Sequence, residues 1–186
     1  MWNLHCKTIS EKAETAMSNI ILIGMPGCGK STCGVLAAKL LCKSFVDTDL
    51  EIQANQKMKL QEIIDRFGAA YFAKAEEQAV IGLRADNAVI ATGGSVVYSE
   101  KAMQALGRDG IVVYMRITYE HMMHRIKNPE TRGILLKEGA TLRSMYDERV
   151  ALYEQYADVT VDCTDDDVET TVHAMLAAVE RYIKNR

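Results

Sequence analysis

Short apolar segments alternate with longer segments of helical periodicity along most of this chain. Five of the apolar segments have the length and composition of β-strands, and they lie at Ile20–Ile23, Ser44–Val46, Ala88–Ala91, Ile111–Met115 and Val159–Val161. Strands that alternate with helices pair in parallel and are covered on both faces. The pattern therefore predicts a three-layer α/β/α fold built around a five-stranded parallel sheet.

The segments between these strands carry apolar residues at helical spacing. After the first strand, a helix is predicted in which Val35, Leu36, Leu40 and Leu41 line one face. A second helix is predicted from Leu60, Ile63, Ile64 and Phe67. Two longer helices are predicted from Leu142, Met145, Tyr146, Arg149, Leu152, Tyr153 and Tyr156, and from Val168, Val172, Met175, Leu176, Val179 and Ile183.

The segment after the first predicted strand, from Gly24 to Ser31, reads G-x-x-x-x-G-K-S. Between a strand and a helix, this motif forms a loop whose backbone N–H groups surround the phosphates of a nucleotide. The N-terminus of the next helix adds positive potential, the Lys30 ammonium reaches the β- and γ-phosphates, and the Ser31 hydroxyl can ligate Mg²⁺. The candidate nucleotide-binding residues of this loop are Gly27, Cys28, Gly29, Lys30, Ser31 and Thr32.

Polar residues and glycines also follow the second and third predicted strands. Asp47 and Asp49 come directly after the second strand, where one carboxylate can hold Mg²⁺ and the other can accept a hydrogen bond from a substrate hydroxyl. Helix capping is the alternative for this pair. Gly93 and Gly94 follow the third strand and allow a ligand to approach the backbone closely, although a plain turn has the same signature. In such folds ligands bind at these carboxyl ends of the strands.

Two further segments are polar. Residues from about 127 to 139 contain one proline, two glycines and several basic residues, and we interpret them as a lid that closes over the phosphates and excludes water. A surface loop is the alternative. Residues 1–19 are interpreted as an N-terminal extension of a single domain that spans residues 20–186.

Bulk composition narrows the partners and the compartment. The net charge of −3 and the pI of about 5.8 do not favour nucleic acid as a partner. No stretch approaches the roughly 18–20 apolar residues of a membrane span, so no membrane contact is expected. The five cysteines include no C-x-x-C pair and favour a reducing, cytoplasmic setting. Cys28 and Cys33 are interpreted as packing residues, with an oxidation-sensitive thiol as the alternative.

Taken together, these motifs resemble the shikimate kinases, a family of P-loop kinases. The matching segments stand in family order as G-M-P-G-C-G-K-S-T, F-V-D-T-D, L-Q-E-I-I-D-R-F-G, A-T-G-G, the arginine-bearing lid and R-V-A-L-Y. The resemblance runs from about Asn19 to the C-terminus. It implies a P-loop kinase fold with a helical substrate-binding region and a lid. It also implies ATP- and Mg²⁺-dependent phosphorylation of the 3-hydroxyl of shikimate, a small hydroxy acid, in aromatic amino acid biosynthesis. We expect the chain to act as a cytoplasmic monomer.

The resemblance also implies roles for single residues. Lys30 would neutralise charge on the transferring phosphoryl group, and Asp49 would bind the substrate hydroxyls and orient the attacking one. Ser31 and Asp47 would hold Mg²⁺. The remaining implied contacts are Arg132 with the phosphates, Arg125 with adenine, Arg149 with the substrate carboxylate, and Gly93 and Gly94 in the substrate pocket.

Three departures from the family pattern concern the acceptor. Where the family has G-E-x-x-F-R-x-x-E, residues 68–76 read G-A-A-Y-F-A-K-A-E, so that Ala73 replaces an arginine expected to bind the substrate carboxylate. Ser95 replaces a third pocket glycine, and Arg132-Gly133 replaces Arg-Pro. A hydrogen bond to a charged group is worth about 1.5–3 kcal/mol, so loss of the arginine implies roughly 10- to 150-fold weaker carboxylate binding.

These departures leave three hypotheses open. The first is a shikimate kinase with a rearranged carboxylate site. The second is a kinase of the same fold that acts on another small polyol or hydroxy acid, which Ala73 and Ser95 favour. The third is a nucleotide-binding regulatory domain without catalysis, and retention of Asp49 argues against it because binding alone does not need that carboxylate.

Overall fold

The computed structural model describes residues 19–126, 134–136, 139–163 and 167–186. Five strands form one sheet, and they are β1 (Asn19–Ile23), β2 (Ser44–Asp47), β3 (Ala88–Ala91), β4 (Gly110–Arg116) and β5 (Val159–Asp162). Their order across the sheet is β2-β3-β1-β4-β5, and every neighbouring pair is parallel. The predicted five-stranded parallel sheet is therefore confirmed, and no strand end differs from its prediction by more than one residue.

Helices connect these strands. Those of the described residues are α1 (Lys30–Leu41), α2 (Thr48–Gln56), α3 (Leu60–Phe67), α4 (Ala69–Gly82), α5 (Glu100–Arg108), α6 (Tyr119–Arg125), α7 (Leu142–Tyr156) and α8 (Val168–Asn185). A short 3₁₀ turn at Val96–Tyr98 precedes α5. Several helices begin where a side-chain oxygen accepts a backbone N–H of the first turn, which satisfies a donor that has no partner within the helix. The capping residues are Asp47, Ser99, Thr118, Thr141 and Asp167.

The predicted helix is α1, but its apolar face is not the face that packs on the sheet. Val35 and Leu36 are 48% and 39% exposed, and the other two leucines of the predicted face are only partly buried. The face that packs on the sheet contains small residues such as Gly34 and Ala37 instead. A Cβ at Gly34 would lie 2.7 Å from the ring of Phe45. The helix lies so close to the sheet that its large apolar residues point away from the contact.

Two apolar cores result from this packing. The larger one surrounds the sheet, in which β1 and β3 are buried along their whole length, as expected for inner strands of a parallel sheet. A smaller core is formed by Ile52 of α2, Ile63 of α3 and Phe72 of α4. These three helices form the helical region that the resemblance implies for substrate binding, and they lie next to the carboxyl ends of β2 and β3.

The structure extends β1 to Asn19, which the sequence interpretation assigned to the N-terminal extension. The Asn19 side chain donates to the carbonyl of Ala85 at 2.7 Å and accepts the backbone N–H of Ala88 at 3.0 Å, so it joins β1 to the start of β3. Residues 1–18 lie outside the described residues. The same holds for Arg132 and for most of the predicted lid.

Candidate active site

The register of the sheet brings the three predicted loop segments together. Ala91 at the end of β3 is level with Leu22 of β1 on one side and with Asp47 of β2 on the other. The loops that leave these three strands therefore start side by side at one edge of the sheet. Sequence alone gave the loops but not this arrangement, because the order of strands depends on pairings between distant segments.

A cavity of about 550 Å³ opens at this edge. The predicted site residues that line it are Gly27, Gly29, Lys30, Ser31, Thr32, Asp49, Gly93, Gly94, Arg125 and Arg149. Residues that the sequence interpretation did not assign to the site also line it, and they include Leu60, Phe72 and Glu76 from the helical region and Leu135. The fold thus brings nearly all the candidate residues of the described chain to one site.

The loop between β1 and α1 has the backbone of a phosphate-binding loop. Gly24 has a φ of 146°, and a Cβ there would lie 2.6 Å from the carbonyl oxygen of Met115. Gly29 precedes α1 in the left-handed conformation, with a φ of 98°. Glycine is needed at both positions because L-residues with a side chain rarely adopt such conformations. The N-terminus of α1, which begins at Lys30, consequently faces the cavity with its free N–H groups.

Cys28 does not line the cavity, although it belongs to the predicted nucleotide-binding loop. Its side chain is buried, 1% exposed, and its backbone N–H donates to the carbonyl of Met25 at 3.2 Å. Cys33 is also buried, and burial raises the pKa of its thiol to about 11, with Cys28 adding to the rise and Arg125 opposing it. The buried position of both thiols supports the packing interpretation over the oxidation-sensitive one.

Lys30 lies across the phosphate loop. Its ammonium donates to the carbonyls of Gly24 at 2.8 Å and Met25 at 2.9 Å, and it contacts the Cys28 sulfur at 3.6 Å. The side chain is 9% exposed. A buried ammonium is costly unless it is hydrogen-bonded, and these carbonyls hold it at the entrance of the cavity that the loop surrounds.

Ser31 and Asp47 are joined directly. The Ser31 hydroxyl donates to Oδ2 of Asp47 at 2.6 Å, and Oδ1 of the same carboxylate accepts the backbone N–H of Asp49 at 3.0 Å. Asp47 therefore caps α2, which was the alternative predicted for this pair, and the bond from Ser31 also places its carboxylate beside the phosphate loop. A hydroxyl and a carboxylate beside the loop supply the oxygen donors that Mg²⁺ prefers. Within the described residues no group of three or more His, Cys, Asp or Glu side chains forms a metal site.

Asp49 projects into the cavity from the first turn of α2. Burial raises the pKa of its carboxyl to about 6, the nearby Asp47 carboxylate adds to the rise, and the Lys30 ammonium opposes it. A carboxylate with a raised pKa is a better proton acceptor than an exposed one. Its position beside Lys30 therefore suits a group that accepts a hydrogen bond from an attacking hydroxyl.

Arg149 is a buried cation in the wall of the cavity. It is 1% exposed, its guanidinium donates to the carbonyl of Leu135 at 2.7 Å and to the Tyr98 hydroxyl at 3.4 Å, and it lies over the Tyr98 ring at 5.2 Å. Within the described residues no carboxylate forms an ion pair with it. A Cβ at Gly94 would lie 3.3 Å from its Nη1 atom, so the glycine keeps the space in front of the guanidinium open.

Glu76 is the residue that the sequence interpretation missed. It is 3% exposed, and its Oε2 atom accepts a hydrogen bond from the Ser95 hydroxyl at 2.7 Å. Burial raises its pKa to about 7. Its position four residues after Phe72, on the same face of α4, is the signal that could have found it. Ala73, by contrast, is exposed and does not line the cavity.

The side chains of Glu76 and Asp49 leave no room for a side chain at Gly93, which a substitution can test. A Cβ there would overlap Oε1 of Glu76 and lie 2.8 Å from Oδ1 of Asp49. We expect Gly93→Ala to lower the free energy of unfolding by about 1–3 kcal/mol, which thermal denaturation would register as a Tm several degrees lower. Gly82→Ala is the matched control, because nothing lies within 4 Å of a Cβ at that position. An unchanged Tm for Gly93→Ala would contradict the crowding described here.

Comparisons with known proteins agree with this geometry. A model of the family described as shikimate kinase matches residues 26–180. The chain belongs to the shikimate kinase family. It is therefore a phosphotransferase with an alcohol as acceptor, and the P-loop kinase resemblance seen in its motifs is confirmed.

Individual members of the family are similar over nearly their whole length. A shikimate kinase from Caldanaerobacter subterraneus is 34% identical over 171 residues, which cover 90% of this chain and 98% of the relative. One from Pseudomonas paraeruginosa is 40% identical over 149 residues, which cover 78% and 87%. The chain therefore covers most of the length of these two shikimate kinases.

Solved structures agree as well. The structure of shikimate kinase from Acinetobacter baumannii in complex with shikimate has a TM-score of 0.82 and 27% identity, and the match covers 92% of this chain and 97% of that one. The shikimate kinase from Aquifex aeolicus has a TM-score of 0.74 and 30% identity, with 87% and 96% covered.

No helix within the described residues has the length and apolar character needed to span a membrane.

Proposed function

We propose that this chain transfers the γ-phosphoryl group of ATP to the 3-hydroxyl of shikimate. The observation that carries this choice of acceptor is Arg149, a buried guanidinium without a carboxylate partner among the described residues, in the same cavity as Lys30 and Asp49. A buried charge is stable only when an opposite charge or hydrogen bonds compensate it. A small acid with hydroxyl groups supplies the missing anion and reaches Asp49 as well.

The phosphate loop forms the donor side of the site. Backbone N–H groups of the loop and of the first turn of α1 bind the phosphate oxygens, and the Lys30 ammonium neutralises charge on the transferring group. Ser31 and Asp47 present the oxygen donors that would hold Mg²⁺, either directly or through water. A Mg²⁺ ion held by these residues would supply positive charge that lowers the negative charge met by the attacking hydroxyl.

Asp49 serves the acceptor side. Its carboxylate accepts a hydrogen bond from the attacking hydroxyl and takes its proton as the new oxygen–phosphorus bond forms. The bond between the γ-phosphorus and the oxygen shared with the β-phosphate breaks in the same step, and ADP leaves. Gly93 and Gly94 keep the wall beside it free of side chains, and Arg149 binds the carboxylate at the other end of the acceptor. Two contacts at opposite ends of a small molecule hold the reacting oxygen in place, which lowers the entropic part of the barrier.

Two arginines complete the proposal. Arg125 at the end of α6 lines the cavity, and we assign it to the adenine side of ATP. Arg132 lies outside the described residues, and we assign it to the phosphates on the basis of the family pattern alone. In this proposal residues 127–139 close over the bound nucleotide and exclude water, which otherwise competes with the acceptor for the phosphoryl group.

A second acceptor deserves a direct test. Ser95 and Ala73 change the polar groups of the acceptor pocket relative to the family pattern, and a different small hydroxy acid or polyol is the candidate that these changes favour. A coupled assay of ADP release should compare shikimate with a panel of such acids and polyols at saturating ATP and Mg²⁺. We expect saturable turnover with shikimate. Turnover with another alcohol alone would replace the acceptor, and ATP binding without any turnover would indicate a regulatory domain.

Arg149 also provides a mutational test of the acceptor. Arg149→Lys keeps the charge but loses the planar pair of donors, so we expect the KM for shikimate to rise by about 10- to 100-fold with little change in the KM for ATP. Steady-state kinetics with each substrate varied in turn would measure both constants. Arg143→Lys on the exposed face of the same helix is the control and should leave both unchanged. An equal loss for ATP would remove Arg149 from the acceptor side.

A further inference from the structure

The carboxyl group of Glu76 has one oxygen without a hydrogen-bond partner. Ser95 donates to Oε2, whereas Oε1 is buried and has no partner. The side chain lines the cavity, and Oε1 lies beside Gly93. Leaving a buried oxygen without a hydrogen-bond partner destabilises the folded protein. A group that persists in this state inside a binding cavity is expected to gain its partner when the ligand binds.

The nearby Asp49 carboxylate disfavours ionisation of Glu76. Oε1 of Glu76 and Oδ1 of Asp49 both lie within 3.0 Å of the point that a Cβ of Gly93 would occupy, so the two oxygens are at most about 6 Å apart. Burial raises the pKa of Glu76 to about 7, the Ser95 hydrogen bond opposes the rise, and the Asp49 carboxylate adds to it.

Other charged groups near Glu76 act more weakly. The two cations that oppose the rise are Arg149 on α7 and Lys30 on α1, and neither is hydrogen-bonded to the carboxyl group. The other neighbours of α4 bring little charge to this side. The charged side chains of α3, of α5 and of α2 apart from Asp49 are exposed, and they are Glu51, Lys57 at the end of α2, Lys59 at the N-cap of α3, Glu62, Asp65, Arg66, Glu100, Lys101 and Arg108. The 3₁₀ turn before α5 contributes the Tyr98 phenol, which contacts Arg149.

We propose that Glu76 is protonated and neutral when it binds the acid substrate. Ser95 donates a hydrogen bond to Oε2, so that the proton lies on Oε1, which donates a hydrogen bond to a substrate oxygen. This rests on the proposed function, because it takes the acceptor to be a carboxylate. An anion that enters a cavity with Asp49 and Glu76 both ionised meets two like charges in a medium of low dielectric constant. A proton on Glu76 removes one of them and supplies the partner that Oε1 lacks.

Ala73 explains why a proton fills this role here. It precedes Glu76 by three residues on α4, a spacing at which side chains are neighbours on a helix surface. An arginine there could place its cation on the Glu76 carboxylate, whereas the methyl group of Ala73 cannot. Ser95 donates a hydrogen bond to the same carboxyl group but adds no charge. In this chain, whether the Glu76 carboxyl group is neutral therefore depends on pH.

The signs of the pH dependence follow. Below the pKa of about 7, Glu76 is already neutral and shikimate binds without a change in protonation. Above it, Glu76 is ionised in the free enzyme and must take up a proton on binding, so the Kd should rise by about tenfold for each pH unit. The substrate carboxylate stays ionised throughout, because its ordinary pKa lies far below this range.

Isothermal titration calorimetry with shikimate tests this directly. Titrations at pH 6 and pH 8, each in buffers of different ionisation enthalpy, give the number of protons taken up on binding. We expect close to one proton at pH 8. Glu76→Gln, which is always neutral at position 76, should take up about one proton fewer than the unmodified protein at pH 8. At pH 6 the two should take up about the same number, because there Asp49, whose pKa is about 6, contributes equally to both. The Kd of Glu76→Gln should not rise tenfold between pH 7 and pH 8. Glu77→Gln is the matched control and should behave like the unmodified protein, because Glu77 bonds Ser99 outside the cavity.

Two further variants keep the test decisive if Glu76→Gln does not fold. Ser95→Ala removes a hydrogen bond that lowers the pKa of Glu76, so the rise in Kd should begin at a higher pH. Ala73→Arg should bind shikimate more tightly at pH 8 and take up less than half a proton. Tight binding of shikimate at pH 8 without proton uptake by the unmodified protein would overturn the inference and leave the proposed function intact. No shikimate binding at any pH would overturn the proposed function itself.

Discussion

Replacing Asp49 by asparagine is expected to lower kcat by about 10³- to 10⁴-fold while the affinity for ATP changes little. We assign the carboxylate to the acceptor, whereas we assign the phosphate loop and the N-terminus of α1, which line the same cavity, to the nucleotide. Asparagine keeps the size of the side chain but cannot accept a proton. Single-turnover kinetics would measure the chemical step, and equilibrium titration with ATP would measure binding.

The control for Asp49→Asn is Asp65→Asn, which makes the same change at an exposed position of α3. That variant should keep its full kcat. A loss of ATP affinity in Asp49→Asn that matches the loss in kcat would assign Asp49 to the nucleotide instead. The second oxygen of Asp47, which accepts the backbone N–H of Asp49, should hold the start of α2 in place in both variants.

Lys30→Met is expected to lower kcat by about 10²- to 10³-fold, since removal of one preorganised group that stabilises transition-state charge typically has an effect of this size. The methionine fills similar volume but removes the ammonium that bonds Gly24 and Met25. ATP affinity should also fall, because the same cation meets the phosphates in the ground state. Rapid-quench measurement of phosphoryl transfer would separate the two effects.

Lys39→Met serves as the control for Lys30→Met. Lys39 lies on the same helix but is exposed and far along it from the loop. Both variants should retain the far-ultraviolet circular dichroism of the unmodified protein. A Lys30→Met variant that keeps its kcat would show that backbone N–H groups alone stabilise the transferring group, and it would contradict the role proposed for the ammonium.

In the acceptor pocket, the residue at position 73 affects how the charge of Glu76 is neutralised. The family pattern places an arginine at position 73, and its absence by itself suggests only weaker carboxylate binding. The structure adds that Ser95 donates to Glu76, which lies three residues after Ala73 on α4, so that the two departures lie near the same carboxyl group. An enzyme that neutralises Glu76 with a proton would respond to pH where one that uses an arginine would not.

Much of the fold was predictable because its signals are local. The five strands, the phosphate loop and the carboxylates after β2 each depend on a few consecutive residues. The face of α1 that packs on the sheet, by contrast, does not follow from local signals. Periodicity marks Val35 and Leu36 as apolar, but the distance between helix and sheet, set by Gly34 and Phe45, decides which side can face the core.

The sequence by itself determined that a nucleotide phosphate loop, a pair of carboxylates and two glycines follow successive strands of a parallel sheet. Only the tertiary structure decided that β3 lies between β1 and β2, that Arg149 is buried in the same cavity, and that Glu76 meets Ser95. The physical reason is the range of the interactions. Backbone conformation and hydrophobic periodicity are encoded within a few residues, whereas the partner of a buried polar group is set by packing between segments that the chain places far apart.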